Sequence, residues 1–132
     1  MAEELELYIC NICGNIVEVI HAGAGALVCC GEEMEKLKEK THEEYEEKHL
    51  PVVEFEGVGN NRKVKIKVGE IEHPMINEHF IRFIEAISKD GVYLKRKMLS
   101  PNEKPQLEFL CDCDEMIVRE YCTLHDLWSV TI

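Results

Sequence analysis

The sequence has no long hydrophobic run. No apolar stretch approaches the roughly 18 residues of a membrane-spanning helix, and the opening "MAEELELYIC" lacks the basic start and apolar stretch of a signal peptide. Internal repeats and low-complexity tracts are missing as well. The sequence therefore predicts a cytoplasmic protein that does not act on a membrane.

Positive charge is also scarce. The 132 residues include 15 Lys and Arg against 26 Asp and Glu, which gives a formal net charge of −11. Binding to nucleic acid draws on clustered Lys and Arg that face the phosphates, so we expect no nucleic acid partner. With 45% hydrophobic and 31% charged residues the composition is that of a folded protein. The length suits one domain, or a very small domain joined to one of about 100 residues.

Cysteine, in contrast, is abundant. Seven is an odd number, and in a reducing compartment such a density indicates metal ligation before disulfides. Four of the seven lie within residues 5 to 31, among the short apolar runs "LELYI" and "IVEVI". Because a block below about 40 residues usually needs a metal in place of a large core, we expect a small metal domain here.

The four cysteines form two pairs, a C-x-x-C pair and an adjacent pair: Cys10 with Cys13, and Cys29 with Cys30. Four thiolates favour a tetrahedral Zn or Fe centre. Two consecutive side chains normally diverge, so the adjacent pair should distort the tetrahedron. Gly14 and Gly31 directly follow the pairs, where the backbone must turn tightly. Buried structural thiols or a vicinal redox pair are the less favoured interpretation.

The second half of the chain has the alternation of strands. Residues 32–48 are dense in Glu and Lys and predict a linker that is partly helical. Beyond it, "VVEFEGV" and "KVKIKV" predict a hairpin that turns at Asn60 and Asn61, with Val64, Ile66 and Val68 on one face. Further strands in "VYLKRKML" and "EMIVREYC" predict a β-sandwich. In "HFIRFIEAI" the apolar residues fall at helical spacing, so a short helix stays open there.

A second group of metal-binding residues is scattered along this half. Cys122 and His125 form a C-x-x-H pair that supplies at most two ligands, and the candidates for the others are His49, His73 and His79. Four imidazoles and one thiolate suit Fe, Zn or Cu and leave one octahedral position open for chemistry.

The remaining histidines and cysteines have no such pattern around them. We predict that His21 and His42 are ordinary surface residues, and that Cys111 and Cys113 are spare thiols on one strand face.

Several separated motifs resemble a known family. The stretch "YICNICGNIVEVIHAGAGALVCCGEEM" resembles the desulforedoxin-type iron domain, and "EKHLPV", "GEIEHPMINEHFI" and "EYCTLHDLW" resemble the superoxide reductase domain. In this order, over essentially the whole chain, they are similar to the desulfoferrodoxin family. We therefore expect a mainly β protein with a rubredoxin-like desulforedoxin domain over residues 1–37, a linker over 38–48 and an immunoglobulin-like sandwich over 49–132. The resemblance also implies that "HFIRFIEAI" is a strand.

The same resemblance implies two Fe ions and an activity. One Fe would be held by the four N-terminal cysteines, and the other by four imidazoles and an axial thiolate, from His49, His73, His79, His125 and Cys122. Glu47 and Lys48 match the family's acidic and basic pair beside the first ligand and are expected to act in catalysis. The implied reaction is reduction of superoxide to hydrogen peroxide, an oxygen detoxification in an anaerobe or microaerophile. Rubredoxin is the implied electron donor, and we expect a homodimer.

The last motif departs from the family pattern at two positions. Thr123 and Asp126 stand where the family usually has Asn and Gly, and Asp126 both adds a negative charge and restricts the backbone beside a ligand. Two rival functions remain from the residues alone, a non-catalytic iron electron-transfer protein and a zinc-ribbon binding module. Metal content and colour would separate zinc from iron, and superoxide consumption would separate the two iron proteins.

Overall fold

The computed structural model describes residues 2–41, 46–57 and 62–132, and it is almost entirely β. The chain forms two compact units, Met1–Lys38 and Glu39–Ile132. Within the described ranges, no helix has the length and apolar character needed to cross a bilayer. His42, Asn60 and Asn61 lie outside the described residues, as does the side chain of Glu47.

The first unit consists of very short strands. An antiparallel sheet has the order β2-β1-β5, and β3 pairs with β4; the strands are β1 (Leu7–Ile9), β2 (Ile16–Glu18), β3 (Val28–Cys29), β4 (Glu32–Glu33) and β5 (Glu35–Lys36). The strands expected in "LELYI" and "IVEVI" are confirmed as β1 and β2. The assignment of residues 32–36 to a linker is wrong. Their charged side chains point into solvent while their backbones pair with β3 and β1, and composition alone does not reveal that pairing.

The interior of the first unit is small. Its buried hydrophobic side chains, among the described residues, are Leu7, Cys10, Val19 and Leu37. One of these four is a predicted metal ligand, so little apolar packing is left to stabilise the fold. This agrees with a small block that depends on a metal in place of a large core.

The second unit is a sandwich of two antiparallel sheets. One has the order β10-β7-β6 and the other β12-β11-β8-β9; the strands are β6 (Pro51–Glu56), β7 (Arg62–Val68), β8 (Ile81–Ser88), β9 (Leu94–Met98), β10 (Gln106–Cys111), β11 (Met116–Cys122) and β12 (Asp126–Thr131). A one-turn helix, α1 (Glu46–His49), precedes β6. A three-strand sheet facing a four-strand sheet is the arrangement of an immunoglobulin-like sandwich, and it confirms the predicted fold class.

The strand predictions hold for the hairpin and for the ambiguous segment. β6 pairs with β7, and Val64, Ile66 and Val68 point into the core as predicted. All but the first two residues of "HFIRFIEAI" lie in β8, which confirms the strand implied by the resemblance. The helical spacing misled because β8 is covered on both faces: Phe83 and Ile84 are consecutive, point to opposite sides and are both buried.

An irregularity in the sheet sets the direction of Cys122. The pairing of β11 with β8 shifts between Tyr121 and Cys122, so that Tyr121 lies opposite Phe83 but Cys122 lies opposite Ile81. Such a β-bulge re-aims the side chain that follows it. Cys122 consequently faces the interior, where it belongs to the same buried cluster as Ile81.

A tight turn also packs against the segment that carries His49. Gly69 follows β7 with a φ of +82°, and its N–H donates to the Leu50 carbonyl at 3.0 Å. A Cβ at this position would lie 2.6 Å from the carbonyl oxygen of Lys48. Only glycine fits both the conformation and the space.

The prediction for Cys111 and Cys113 is wrong. Cys111 is the last residue of β10 and Cys113 lies in the following loop, and a disulfide joins the two across a Cα–Cα distance of 5.3 Å. Side chains alternate along a strand in a way that would place residues i and i+2 side by side. That rule stops where β10 stops, and the loop turns the second thiol toward the first.

Candidate metal centres

The four N-terminal cysteines meet at one point. Their Sγ atoms all lie within 4.8 Å of one another, as the spacing predicted. Cys13 and Cys29 approach to 3.6 Å, and the adjacent Cys29 and Cys30 to 4.0 Å. Cys10 is buried, whereas Cys13 and Cys30 are exposed. This cluster will be called the four-cysteine centre.

Backbone turns allow adjacent thiols to converge. Gly14 and Gly31 have φ angles of +84° and +78°, which confirms the predicted tight turns. Cys30 itself has a φ of +53°. This left-handed conformation is uncommon outside glycine, and it turns the chain so that two consecutive side chains face one centre. This conformation was not predicted from the sequence, although the adjacency of Cys29 and Cys30 was a signal for it.

The pKa shifts of the thiols in the four-cysteine centre fit a site for a cation. N–H groups of Cys13 and Ile12 point at the Cys10 sulfur and lower its pKa from 9.0 to about 7. The neighbouring thiols, Cys13 first, raise the pKa of Cys30 to about 12. Without a cation the cluster cannot hold four thiolates, whereas a metal ion replaces the protons. An all-sulfur donor set fits Fe or Zn.

The second set of predicted ligands also converges, from four places in the second unit. His49 ends α1, His73 and His79 lie between β7 and β8, Cys122 ends β11, and His125 lies in the turn before β12. The donor atoms of the first three histidines and Cys122 lie within 4.8 Å of one another. His125 Nδ1 lies 3.8 Å from Cys122 Sγ. This cluster will be called the histidine centre.

Three observations test whether a metal fits the histidine centre. His79 Nε2 is buried and has no hydrogen-bond partner among the described residues. The Nε2 atoms of His49 and His73 face each other at 3.1 Å, and Cys122 Sγ lies 3.3 Å from His73 Nε2. Lone pairs that point at a common space suit a cation. The donors present therefore fit a metal ion.

Neighbouring groups fix the rings. His73 Nδ1–H donates to the Pro74 carbonyl at 2.7 Å, which leaves Nε2 as the atom with the free lone pair. Trp128 Nε1–H donates to the His125 carbonyl at 2.8 Å, and its ring stacks on His49 with centroids 4.9 Å apart. This role of Trp128 was not predicted from the sequence. Its place three residues after His125 was the available signal.

Burial sets the charge state of the ligands. It lowers the pKa of His73 to about 4 and lowers that of His79, so both imidazoles are neutral near pH 7 and can ligate a metal. Burial also raises the pKa of Cys122 to about 11. The fully buried thiol becomes a thiolate only beside a positive ion. A bound metal is the natural source of that charge.

The surroundings include predicted residues and one that was missed. Lys48 precedes His49 and is partly exposed. Burial is the largest cause that lowers the pKa of His79, followed by the charge of His125 and then that of Lys48. His21 is exposed, as predicted. Glu120 was missed: it lies two residues before Cys122, burial raises its pKa well above the ordinary value, and its carboxyl oxygens have no partner in the described part of the chain.

The two positions that depart from the family pattern have clear structural roles. Thr123 Oγ1 accepts a hydrogen bond from the Phe80 N–H at 3.2 Å. Asp126 has a φ of +69° and an ion pair with Lys40 at 3.5 Å. The predicted restriction at Asp126 is confirmed, because this left-handed conformation is one that glycine adopts most easily.

Fold and sites together define a class: a β protein with two mononuclear metal centres, one of four thiolates and one of four imidazoles and a thiolate. The family model described as "Desulfoferrodoxin, N-terminal domain" matches residues 2–37, and the model described as "Desulfoferrodoxin" matches residues 41–131. The chain belongs to the desulfoferrodoxin family. Its two ligand groups match the iron sites of that family, which makes it an iron-containing oxidoreductase.

Individual relatives agree over nearly the full length. The chain is 50% identical to a desulfoferrodoxin of Syntrophotalea carbinolica and 47% identical to a desulfoferrodoxin homolog of Archaeoglobus fulgidus, in each case over 98% of both chains. Among solved structures, it resembles the superoxide reductase from Treponema pallidum with a TM-score of 0.71 and 29% identity, over 98% of this chain and 99% of that one.

Proposed function

We propose that the protein is a superoxide reductase. Superoxide takes up one electron and two protons at the histidine centre and leaves as hydrogen peroxide. The observation that carries this proposal is the convergence of five donors, three of them from fully buried residues, with the unpartnered Nε2 of His79 among them. Five donors leave one position of an octahedral ion open. Iron bound there would supply the electron and the open position.

The ligands themselves carry little charge. Four neutral imidazoles and one thiolate would leave a bound iron ion with uncompensated positive charge, which would favour an anion at the open position. The Cys122 thiolate would donate electron density to a bound iron, which would favour the transfer of an electron outward. The hydrogen bond from His73 to Pro74 and the stacking of Trp128 on His49 hold the rings in place, so the site needs little rearrangement.

An anionic substrate must approach a chain with a formal charge of −11. At physiological salt the Debye length is about 8 Å, so distant carboxylates count little and nearby charges dominate. We assign this local attraction to Lys48, which adjoins His49 and influences His79. Glu47 is proposed to act beside it, on the strength of the family motif.

The test of the reaction is a product balance. Reduced protein mixed with superoxide in a stopped-flow or pulse-radiolysis experiment is expected to form one hydrogen peroxide per superoxide consumed, without oxygen. Evolution of oxygen would indicate dismutation. No consumption of superoxide would leave a non-catalytic electron-transfer protein.

The role of Lys48 has its own test. Lys48→Ala should keep both metals and the visible spectrum yet react more slowly, because the cation beside the open position is lost. The wild-type rate should fall as ionic strength rises, whereas that of the variant should stay flat or rise. Lys95→Ala on β9 makes the same change in net charge away from the site, and it should keep the wild-type salt dependence. Equal salt dependence in Lys48→Ala and the wild type would contradict steering by Lys48.

Partners and organisation follow from the same proposal. We assign the two ligand sets to separate domains, residues 1–37 and 49–132 joined by 38–48, because each range holds one complete set.

Rubredoxin or a similar small protein is the proposed electron donor. The exposed sulfurs of the four-cysteine centre support electron entry at that centre. A homodimer is proposed because the small first unit exposes Ile12, Ile20 and Val28. Five cysteines without a disulfide suit the reducing cytoplasm.

A further inference from the structure

The disulfide between Cys111 and Cys113 lies far from the histidine centre of the second unit. β11 begins at Met116, close in sequence to Cys113, and ends at Cys122 in the histidine centre. A seven-residue strand spans about 20 Å at roughly 3.3 Å per residue. The two sulfurs therefore lie at the opposite end of this strand, and neither belongs to a predicted metal ligand set.

A structural role explains this disulfide poorly. The stabilisation from a disulfide grows with the length of the loop that it closes, and this one joins residues separated by only two positions. Its loop is among the shortest that a disulfide can close, so it restricts the unfolded chain very little. In a reducing compartment, moreover, a disulfide is usually transient, catalytic or redox-sensing.

The surroundings of the pair suit exchange with small molecules. Both cysteines are partly exposed, and they line an open groove of about 630 Å³ together with Tyr93, Leu94 and Leu110. Accessibility of this kind is what distinguishes reactive cysteines from inert buried ones. Cys113 lies between two exposed carboxylate residues, Asp112 and Asp114.

The loop backbone is held in the shape that brings the sulfurs together. The Arg62 guanidinium, which lies 4.5 Å from the centre of the Phe55 ring, donates a hydrogen bond to the Cys113 carbonyl oxygen. The Cys113 N–H donates to Cys111 Sγ at 3.1 Å. A donor aimed at one sulfur stabilises negative charge there, so Cys111 is the better nucleophile of the two.

We propose that Cys111 and Cys113 form a further redox site, a dithiol/disulfide pair that hydrogen peroxide oxidises and a dithiol reductant restores. The choice of oxidant rests on the proposed function, whose product is hydrogen peroxide. The Cys111 thiolate attacks one peroxide oxygen, the O–O bond breaks, and the hydroxide that leaves takes up a proton to become water. The Cys113 thiol then attacks the sulfenic sulfur, the S–O bond breaks, and a second water leaves. A dithiol reverses the change by two thiol–disulfide exchanges.

Trypsin offers a clean readout in the full protein with both metals bound. Cleavage after Lys97 and Arg119 releases residues 98–119, which contain Cys111 and Cys113 but no predicted metal ligand. Protein is reduced with dithiothreitol, desalted without air, exposed to peroxide in excess over iron, alkylated, digested and weighed by mass spectrometry. The fragment should carry two alkyl groups before peroxide. After peroxide the fragment should carry no alkyl group and weigh two hydrogens less than the unalkylated dithiol fragment. Dithiothreitol should then restore the two alkylatable thiols.

Single variants test the assignment of the nucleophile. In Cys113→Ser, the remaining Cys111 should be trapped by dimedone as a sulfenic acid. In Cys111→Ser, trapping at Cys113 should be slower by on the order of tenfold, since a hydrogen bond to a charged group is lost. Equal rates in the two variants would overturn the role given to Cys111.

Other outcomes would overturn the redox site itself. These are a disulfide that dithiothreitol reduces only after unfolding, a dithiol that survives peroxide, and a fragment that gains oxygen at cysteine instead of losing hydrogens. Because peroxide is added directly, the result does not depend on superoxide chemistry. Failure of the superoxide product balance alongside a working thiol cycle would refute only the proposed reductase function.

Discussion

The two metal centres differ in what holds them together. The four-cysteine centre draws its ligands from residues 10 to 30, in a unit whose described core is four side chains and whose sulfurs are partly exposed. The histidine centre gathers ligands from residues 49 to 125 at one end of a sandwich with an extensive core, and there His49, His73 and Cys122 are almost fully buried. In the first unit the metal substitutes for a core, and in the second the core positions the metal.

The largest effects should come from removing one sulfur ligand at each centre. Cys13→Ser should abolish the four-cysteine centre and leave the first unit unfolded, because little apolar packing remains there, while protein that is chemically reduced beforehand should still consume superoxide. Cys122→Ser should abolish the histidine centre but leave the sandwich folded. Iron analysis, visible absorption and hydrogen exchange of each unit would measure this. Parallel loss of both centres in either variant would contradict the independence of the two units.

A smaller effect is expected where the backbone packs against Lys48. Gly69→Ala should destabilise the second unit by about 2 kcal/mol, from a positive φ and a clash with backbone oxygens. It should also weaken metal binding at the histidine centre, since His49 follows Lys48. Gly25→Ala is the matched control, because a Cβ there meets nothing within 4 Å. Denaturant unfolding and iron content would show the effect, and equal stabilities for the two variants would contradict it.

Two substitutions at Asp126 test how strictly the sandwich constrains the backbone of the turn that carries His125. Both Asp126→Gly and Asp126→Ala remove the ion pair with Lys40, but only glycine adopts a φ of +69° freely. The glycine variant should therefore be more stable than the alanine variant by about 1 kcal/mol. Thermal unfolding of the two variants side by side would decide, and an alanine variant as stable as the glycine variant would show that the turn adjusts.

The smallest effect concerns a surface pair in the first unit. Lys36 donates to Glu6 at 2.5 Å and is the main cause that lowers the Glu6 pKa from 4.5 to about 2. The folded carboxyl has the lower pKa, so its stabilisation is present above pH 4.5 and is lost as the pH falls toward 2.

Lys36→Met should raise the Glu6 pKa in an NMR titration. It should also slightly weaken the first unit at pH 6, with a difference that shrinks on acidification. Lys38→Met is the control for loss of a lysine nearby. A Glu6 pKa that stays near 2 in Lys36→Met would show that Lys36 is not the cause of the lowered pKa.

The sequence allowed parts of each centre to be predicted, for different reasons. The C-x-x-C pair with Gly14, and Cys30 with Gly31, are local signals, because the residues that converge are close along the chain. The strand β8 carried a misleading signal because burial on both faces erases alternation. Stacking of Trp128 on His49 and burial of Glu120 depend on how distant strands pack, so spacing could not reveal them. The second thiol of the disulfide was misplaced because the end of β10 is not marked in the sequence.

The ligands of the two centres are separated by different distances along the sequence. A metal at each centre would therefore restrict the unfolded chain to a different extent. Cys13 and Cys29 are 16 positions apart, whereas His73 and Cys122 are 49 apart. The entropy lost by closing a loop grows with the logarithm of its length, about 0.6 kcal/mol for each doubling. A metal retained at the histidine centre would therefore restrict the denatured chain by about 1 kcal/mol more, per loop, than one retained at the four-cysteine centre. Residual metal in denaturant would leave a compact second unit tethered across four strands, β8 to β11, while the first unit would be only a small ring.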